Sequence, residues 1–266
     1  MLRFRVFGVP VSVHPLFWFI AVILGLNIPK GDTWLSELGL WVGIVFFGVL
    51  AHELGHALSA LAFGQAPSIV LHSMGGTTMW RELPPTPSAE RFGLKPTPQI
   101  TPGKRILISF AGPFVGIVLG VVSIVVASIV HAPQDSALAR VMADLVWVNL
   151  GWGVLNLVPM LPLDGGNIVA SVAELVVPSR RHARIAAHGL SVLVAVGLGV
   201  LVLTYARSAW NVMLVALLGW QNVVALRALL SPPEDPPGGG RPSGGPGPGR
   251  SPGGEAGGPP QGPDFH

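Results

Sequence analysis

Leu38-Gly-Leu-Trp-Val-Gly-Ile-Val-Phe-Phe-Gly-Val-Leu-Ala-His52-Glu53-Leu-Gly-His56-Ala-Leu-Ser-Ala-Leu-Ala-Phe63 is the stretch on which the fold turns. It runs for 26 residues with one formally charged side chain, Glu53. About 20 apolar residues cross the hydrocarbon core of a bilayer as a helix, so it reads as a transmembrane helix with polar groups inside. The rest of the chain agrees. Of 266 residues, 50% are hydrophobic and 11% charged, and the mean hydropathy is +0.60. A soluble domain carries about 25% charged residues. The main body is therefore not a soluble globular enzyme, a disordered protein or a nucleic-acid-binding domain. There is no cysteine, which excludes disulfides and thiolate-bound metal.

Five further stretches have comparable length and polarity: Val11–Ile28, Arg105–Val130, Val141–Leu161, Ile185–Tyr205 and Ala209–Leu230. Met1-Leu-Arg-Phe-Arg5 is basic and leads into the first of these. It lacks a clear small-residue cleavage site, so the first helix is read as retained. Lys and Arg fall 13 to 3 between alternate connecting segments. The positive-inside rule then predicts six spans with N- and C-termini in the cytoplasm. The longest cytoplasmic loop, 64–104, contains Ile69–Met74, Gly75-Gly76 and Thr77–Trp80, two β-prone runs around a turn that favours positive φ; this predicts a hairpin. The prolines after it predict an extended segment. The expectation is an all-α polytopic membrane protein of about six transmembrane helices, with a short cytoplasmic β-hairpin and a disordered C-terminal tail. Residues 1–230 form the membrane domain, with its core at 38–166. Residues 231–266, with 12 Gly and 11 Pro, form the tail.

His52 and His56 lie four apart, on one face of a helix, so both imidazoles can reach one metal ion; Glu53 stands beside them to take a proton from water. Ionisable residues at membrane depth are costly, and they mark function by default. A catalytic zinc takes three protein ligands. The fourth predicted span ends on the same side as the second, in Asn156-Leu-Val-Pro159-Met-Leu-Pro162-Leu-Asp164-Gly-Gly166. Pro159 and Pro162 break the helix there, which brings Asp164 to the depth of the histidines as the candidate third ligand. Asn156, two turns earlier, is a candidate to bind the substrate backbone or an oxyanion.

These residues resemble the site-2 proteases, zinc metalloproteases that cut within membranes. His-Glu-Leu-Gly-His56 is similar to the first motif of that family. Asn156–Gly166 is similar to the second, in which the aspartate is the third zinc ligand. Ala111-Gly112-Pro113 resembles a further element, often followed three residues on by a polar residue where this chain has Gly116; Asn167 stands where the family often has arginine. The resemblance covers about residues 8–176. It implies the six-span subgroup, for which the sequence leaves no room for PDZ or CBS domains, and one Zn²⁺ per chain. It also implies a single-span membrane-protein substrate in the lipid bilayer of a bacterial cell membrane, and no nucleic-acid partner. Alternative functions are a catalytically silent relative that binds transmembrane partners, and a metal or proton transporter.

Overall fold

The structure is a computed structural model. It describes residues 1–26, 33–80, 97–131, 133, 136–206 and 209–231, the side chains of 206, 209 and 210 excepted. The segment with Pro84, Pro85, Pro87 and Pro96, and the tail beyond Ser231, lie outside these residues.

Helices dominate. Strands β1 (Leu2–Val6) and β2 (Val9–Val13) precede α1 (Pro15–Gly25) and the long α2 (Trp34–Ala62). Strands β3 (Pro67–His72) and β4 (Gly75–Trp80) follow, then α3 (Pro102–Val130). Helix α4 covers Ala137–Asn156 and contains a π-helical turn at Trp147–Gly151. The last three helices are α5 (Asp164–Val176), α6 (Arg180–Leu201) and α7 (Ala209–Leu230). Five helices among the described residues are long and apolar enough to cross a membrane: α2, α3, α4, α6 and α7.

The first expected span, Val11–Ile28, is built differently. Val9, Val11 and Val13 alternate inward with Pro10 and Ser12, a strand pattern that a short window does not distinguish from an apolar helix start. His14 then caps α1, its Nδ1 accepting from Leu16 N at 3.3 Å, and Pro15 occupies the first turn. The helix has 11 residues, about 16 Å at 1.5 Å per residue, so it is too short to cross alone. It runs back along α2: Trp41 Nε1 donates to Ala21 O at 2.9 Å, and Phe17 packs edge-on against Phe46.

The expected hairpin is present as β3 and β4, paired from Pro67↔Trp80 to His72↔Gly75, but its turn is Ser73-Met74 and not the expected Gly75-Gly76, which open β4. Gly75 has φ +112°, which a side chain would resist. The hairpin belongs to a larger sheet of order β1-β2-β3-β4, in which β2 and β3 pair in parallel. The N-terminal residues are thereby tied to the loop that follows α2. Val9, Val11, Val13, Ile69 and Leu71 share one core with Val49, Leu50 and Ala57 of α2. The sheet thus lies along the part of α2 that carries His52, Glu53 and His56.

Helix α4 ends at Asn156 rather than at Leu161, and the break expected at Pro159 and Pro162 occupies the stretch before α5. Pro162 follows a cis peptide bond. Asp164 opens α5. Gly165 and Gly166 leave no room for a Cβ, since their positions abut the backbone of Leu157, Val158, Met160 and Leu161. The paired glycines let α5 fold back onto the broken segment.

Candidate active site

Helix α2 supplies three of the buried polar groups, His52 (6% exposed), Glu53 (5%) and His56 (6%). The two imidazoles meet edge to face, with centroids 4.9 Å apart, as their four-residue spacing dictates. Asp164 reaches them from 108 positions beyond His56. Its Oδ2 is 3.1 Å from His52 Nε2 and 3.3 Å from His56 Nε2, and the two Nε2 atoms are 3.2 Å apart. One ligand atom from each of the three lies within 4.8 Å of the others.

Such a triangle suits a cation. A tetrahedral ion bound at about 2.0–2.1 Å separates its ligand atoms by about 3.3 Å, which matches all three sides. The tautomer agrees. His56 Nδ1 lies 2.7 Å from Ile108 O, so its hydrogen goes to that carbonyl and the Nε2 lone pair faces the other two ligand atoms. Pro113 lies inside α3 and has no amide hydrogen to give Ser109 O, the carbonyl next to that of Ile108. Helices α2 and α3 approach closely because of glycines: a Cβ on Gly55 would sit 2.6 Å from Ala111 O, and one on Gly112 would overlap the His56 imidazole. Gly112→Val is therefore expected to push His56 out of the triangle. Metal analysis of the purified variant should find most of the wild-type metal gone.

Glu53 meets the sheet. Thr78 Oγ1 of β4 donates to Glu53 Oε2 at 2.7 Å and also lies 3.0 Å from Glu53 O. A Cβ on Gly76 would lie 2.6 Å from Oε1, so β4 passes directly over the carboxylate. Thr78 and Gly76 were not distinguishable by sequence, because their roles depend on β4 lying over α2; the paired glycines signalled only a turn. Asn156 stays half-buried, its Nδ2 donating to Trp152 O at 3.1 Å one turn back. Gly116 has a packing reason: a Cβ there would lie 2.9 Å from Asn149 O on the π-helical turn of α4. Asn167 Nδ2 donates to Pro162 O at 3.2 Å, so this residue braces the broken segment.

A helical membrane-type fold with a His–His–Asp cluster of two buried imidazoles and a partly buried carboxylate has the donor set of a metal site. Comparison with known proteins narrows it. Residues 126–200, which include Asp164, match peptidase family M50. The chain is 25% identical over 214 residues to zinc metalloprotease MJ0392 of Methanocaldococcus jannaschii, covering 80% of this chain and 55% of that protein. It is 30% identical over 235 residues to sll0528 of Synechocystis sp., again 80% and 55%. The chain thus spans about half the length of these curated relatives. The fold is shared with the solved site-2 protease from Methanocaldococcus jannaschii, at a TM-score of 0.56 and 20% identity over 85% of this chain and 95% of that one. The family match covers Asp164 and leaves His52, Glu53 and His56 outside it, so what the chain shares with peptidase family M50 is the stretch from 126 to 200.

Proposed function

We propose that this chain is an intramembrane zinc metalloprotease, with His52, His56 and Asp164 as the zinc ligands and Glu53 as the general base. Its reaction is hydrolysis of peptide bonds in or near transmembrane segments of membrane-protein substrates, single-span ones in the first place, as in regulated intramembrane proteolysis. The observation that carries this reading is the triangle of buried His52 and His56 with the partly buried Asp164, and Glu53 next to His52 on the same helix. The donor set of two imidazoles and a carboxylate suits zinc, which leaves a fourth position open in catalytic sites. Bound there, zinc supplies Lewis acidity toward water and a peptide carbonyl.

The remaining chemistry belongs to the chain. Glu53, held by Thr78, takes a proton from the attacking water and delivers it to the leaving amine nitrogen. Asn156, with one amide hydrogen directed to Trp152 O, offers the other to the substrate backbone or the developing oxyanion. A helix hides its carbonyls, so the substrate must unwind near the site. β4 is an edge of the described sheet and passes over Glu53. An extended segment added along it by main-chain hydrogen bonds would be delivered to the carboxylate. The Lys and Arg distribution supports a cytoplasmic location for both termini and for the site's end of α2.

Thr78→Val tests the link between the sheet and the base. Loss of a hydrogen bond to a charged group is worth about 1.5–3 kcal/mol, so the cleavage rate should fall about tenfold or more with zinc content unchanged. A wild-type rate in that variant, measured on a reconstituted transmembrane peptide, would separate Thr78 from the function of Glu53.

A further inference from the structure

We infer that Ser191 and Asn222, on the last two helices, are positioning residues that hold the Asp164-bearing segment in register with His52 and His56; this rests on the proposed zinc reading. Both are buried in apolar helices, Ser191 at 0% and Asn222 at 1% exposure. Both bond to one backbone unit that lies outside their own helices. Leu161 N donates to Ser191 Oγ at 3.0 Å, and Asn222 Nδ2 donates to Leu161 O at 2.6 Å. Leu161 precedes Asp164 by three residues, on the stretch where the chain has left α4 and has not yet begun α5.

Each of the two side chains is oriented from behind. Ser191 Oγ donates its own hydrogen to Ala187 O at 2.7 Å, which turns a lone pair toward Leu161 N. Asn222 Nδ2 places its second hydrogen on Leu218 O at 2.8 Å, and Oδ1 faces His188 Nδ1 at 2.9 Å. A donating His188 Nδ1–H fixes which end of the Asn222 amide meets Leu161. Next to these bonds, Met160 is buried against Ala195 and Leu218, so the segment is held by an apolar plug and two backbone hydrogen bonds together. Adhesion of α6 to α7 has its own bonds, from Arg181 to Leu229 O and between His188 and Asn222, whereas the bonds to Leu161 converge on the broken segment. Irregular backbone at membrane depth needs protein partners for its N–H and C=O groups, and here the partners sit where they set the height of Asp164.

The test is zinc affinity of the full-length, detergent-solubilised protein, read by chelator competition, with the visible spectrum of the cobalt-substituted protein as a second readout of ligand geometry. Asn222→Leu and Ser191→Ala should each weaken zinc binding by about tenfold, the lower end of what supporting hydrogen bonds around metal ligands contribute, and should alter the cobalt spectrum. Arg181→Ala removes the bonds from α6 to Leu229 O of α7 and leaves Leu161 and the Met160 plug in place, so it should leave both readouts at wild-type values. Ser191→Ala, the smaller change, keeps the comparison informative if Asn222→Leu does not fold. Wild-type affinity and spectrum in a folded Ser191→Ala or Asn222→Leu protein would overturn the inference, as would an equal loss in Arg181→Ala. His56→Ala in the same series separates the two layers. If it loses zinc while Ser191→Ala and Asn222→Leu do not, only the positioning role fails; if it keeps zinc, the metal reading fails and the inference with it.

Discussion

Replacing Glu53 by Gln is expected to reduce peptide-bond hydrolysis by about 10²–10⁴-fold, the usual contribution of a positioned general base, while zinc remains bound. Gln has the same shape, and its carbonyl oxygen still accepts the hydrogen bond that Thr78 Oγ1 now gives to Oε2 at 2.7 Å. It has no basic oxygen with which to take a proton from water. Glu53 is not one of the three clustered ligand groups, so metal content should stay at the wild-type level. The readout is the membrane proteome of cells expressing wild type or Glu53→Gln, together with the cleavage rate of any substrate that accumulates in the variant. Cleavage by Glu53→Gln above about one-tenth of the wild-type rate would remove Glu53 from the role of base. A silent relative would show no difference between the two strains, and a transporter would retain its flux in the variant.

Replacing His56 by Ala is expected to cost zinc affinity by about a hundredfold or more, beyond the 10–100-fold that outer hydrogen-bonding partners of a metal contribute. The substitution removes one corner of the triangle together with the contact between His56 Nδ1 and Ile108 O at 2.7 Å. His52 and Asp164 would remain 3.1 Å apart, too few groups for a closed set of three ligands. Metal content by mass spectrometry of the purified protein checks this, with Glu53→Gln as the metal-retaining control. Undiminished zinc in His56→Ala would mean that the metal sits elsewhere.

Sequence and structure meet most fully where the signal is local. The four-residue spacing of His52 and His56 is a helix property, and a single apolar run sufficed to assign the helix. Gly75-Gly76 between β-prone runs signals the hairpin, although the turn itself is Ser73-Met74; Gly75 takes positive φ at the start of β4, and Gly76 is needed for the close approach to Glu53. Asp164 was accessible through topology: two predicted spans end on the same side, and prolines free the second from helical geometry. What escaped was non-local. β2 pairs in parallel with β3 across more than fifty residues of chain, and the alternation of Val9, Val11 and Val13 is too short to separate a strand from the start of a membrane helix. The expected first span therefore became a strand and an 11-residue helix. In the sequence Thr78 is one β-former among several, and its role depends on β4 lying over Glu53. Ser191 and Asn222 read as ordinary polar residues in apolar helices, since nothing near them in sequence names Leu161 as their partner.

The departures from the family pattern acquire physical explanations in the same way. Gly116 stands where α3 passes the backbone of the π-helical turn, and a side chain there would meet Asn149 O. Asn167 bonds back to Pro162 O and so supports the segment that carries Asp164. Neither change removes a ligand atom from the triangle.

The central claim, that a zinc ion at His52, His56 and Asp164 drives cleavage of membrane-spanning peptides, is tested most directly by metal titration. The full-length protein, stripped of metal and reconstituted in liposomes with a set of single-span peptides, is titrated with zinc while products are followed by mass spectrometry. The expected result is no cleavage at the start, then activity that rises with zinc and levels off at one equivalent per chain. Cleavage by the metal-free protein at the zinc-loaded rate would contradict the account.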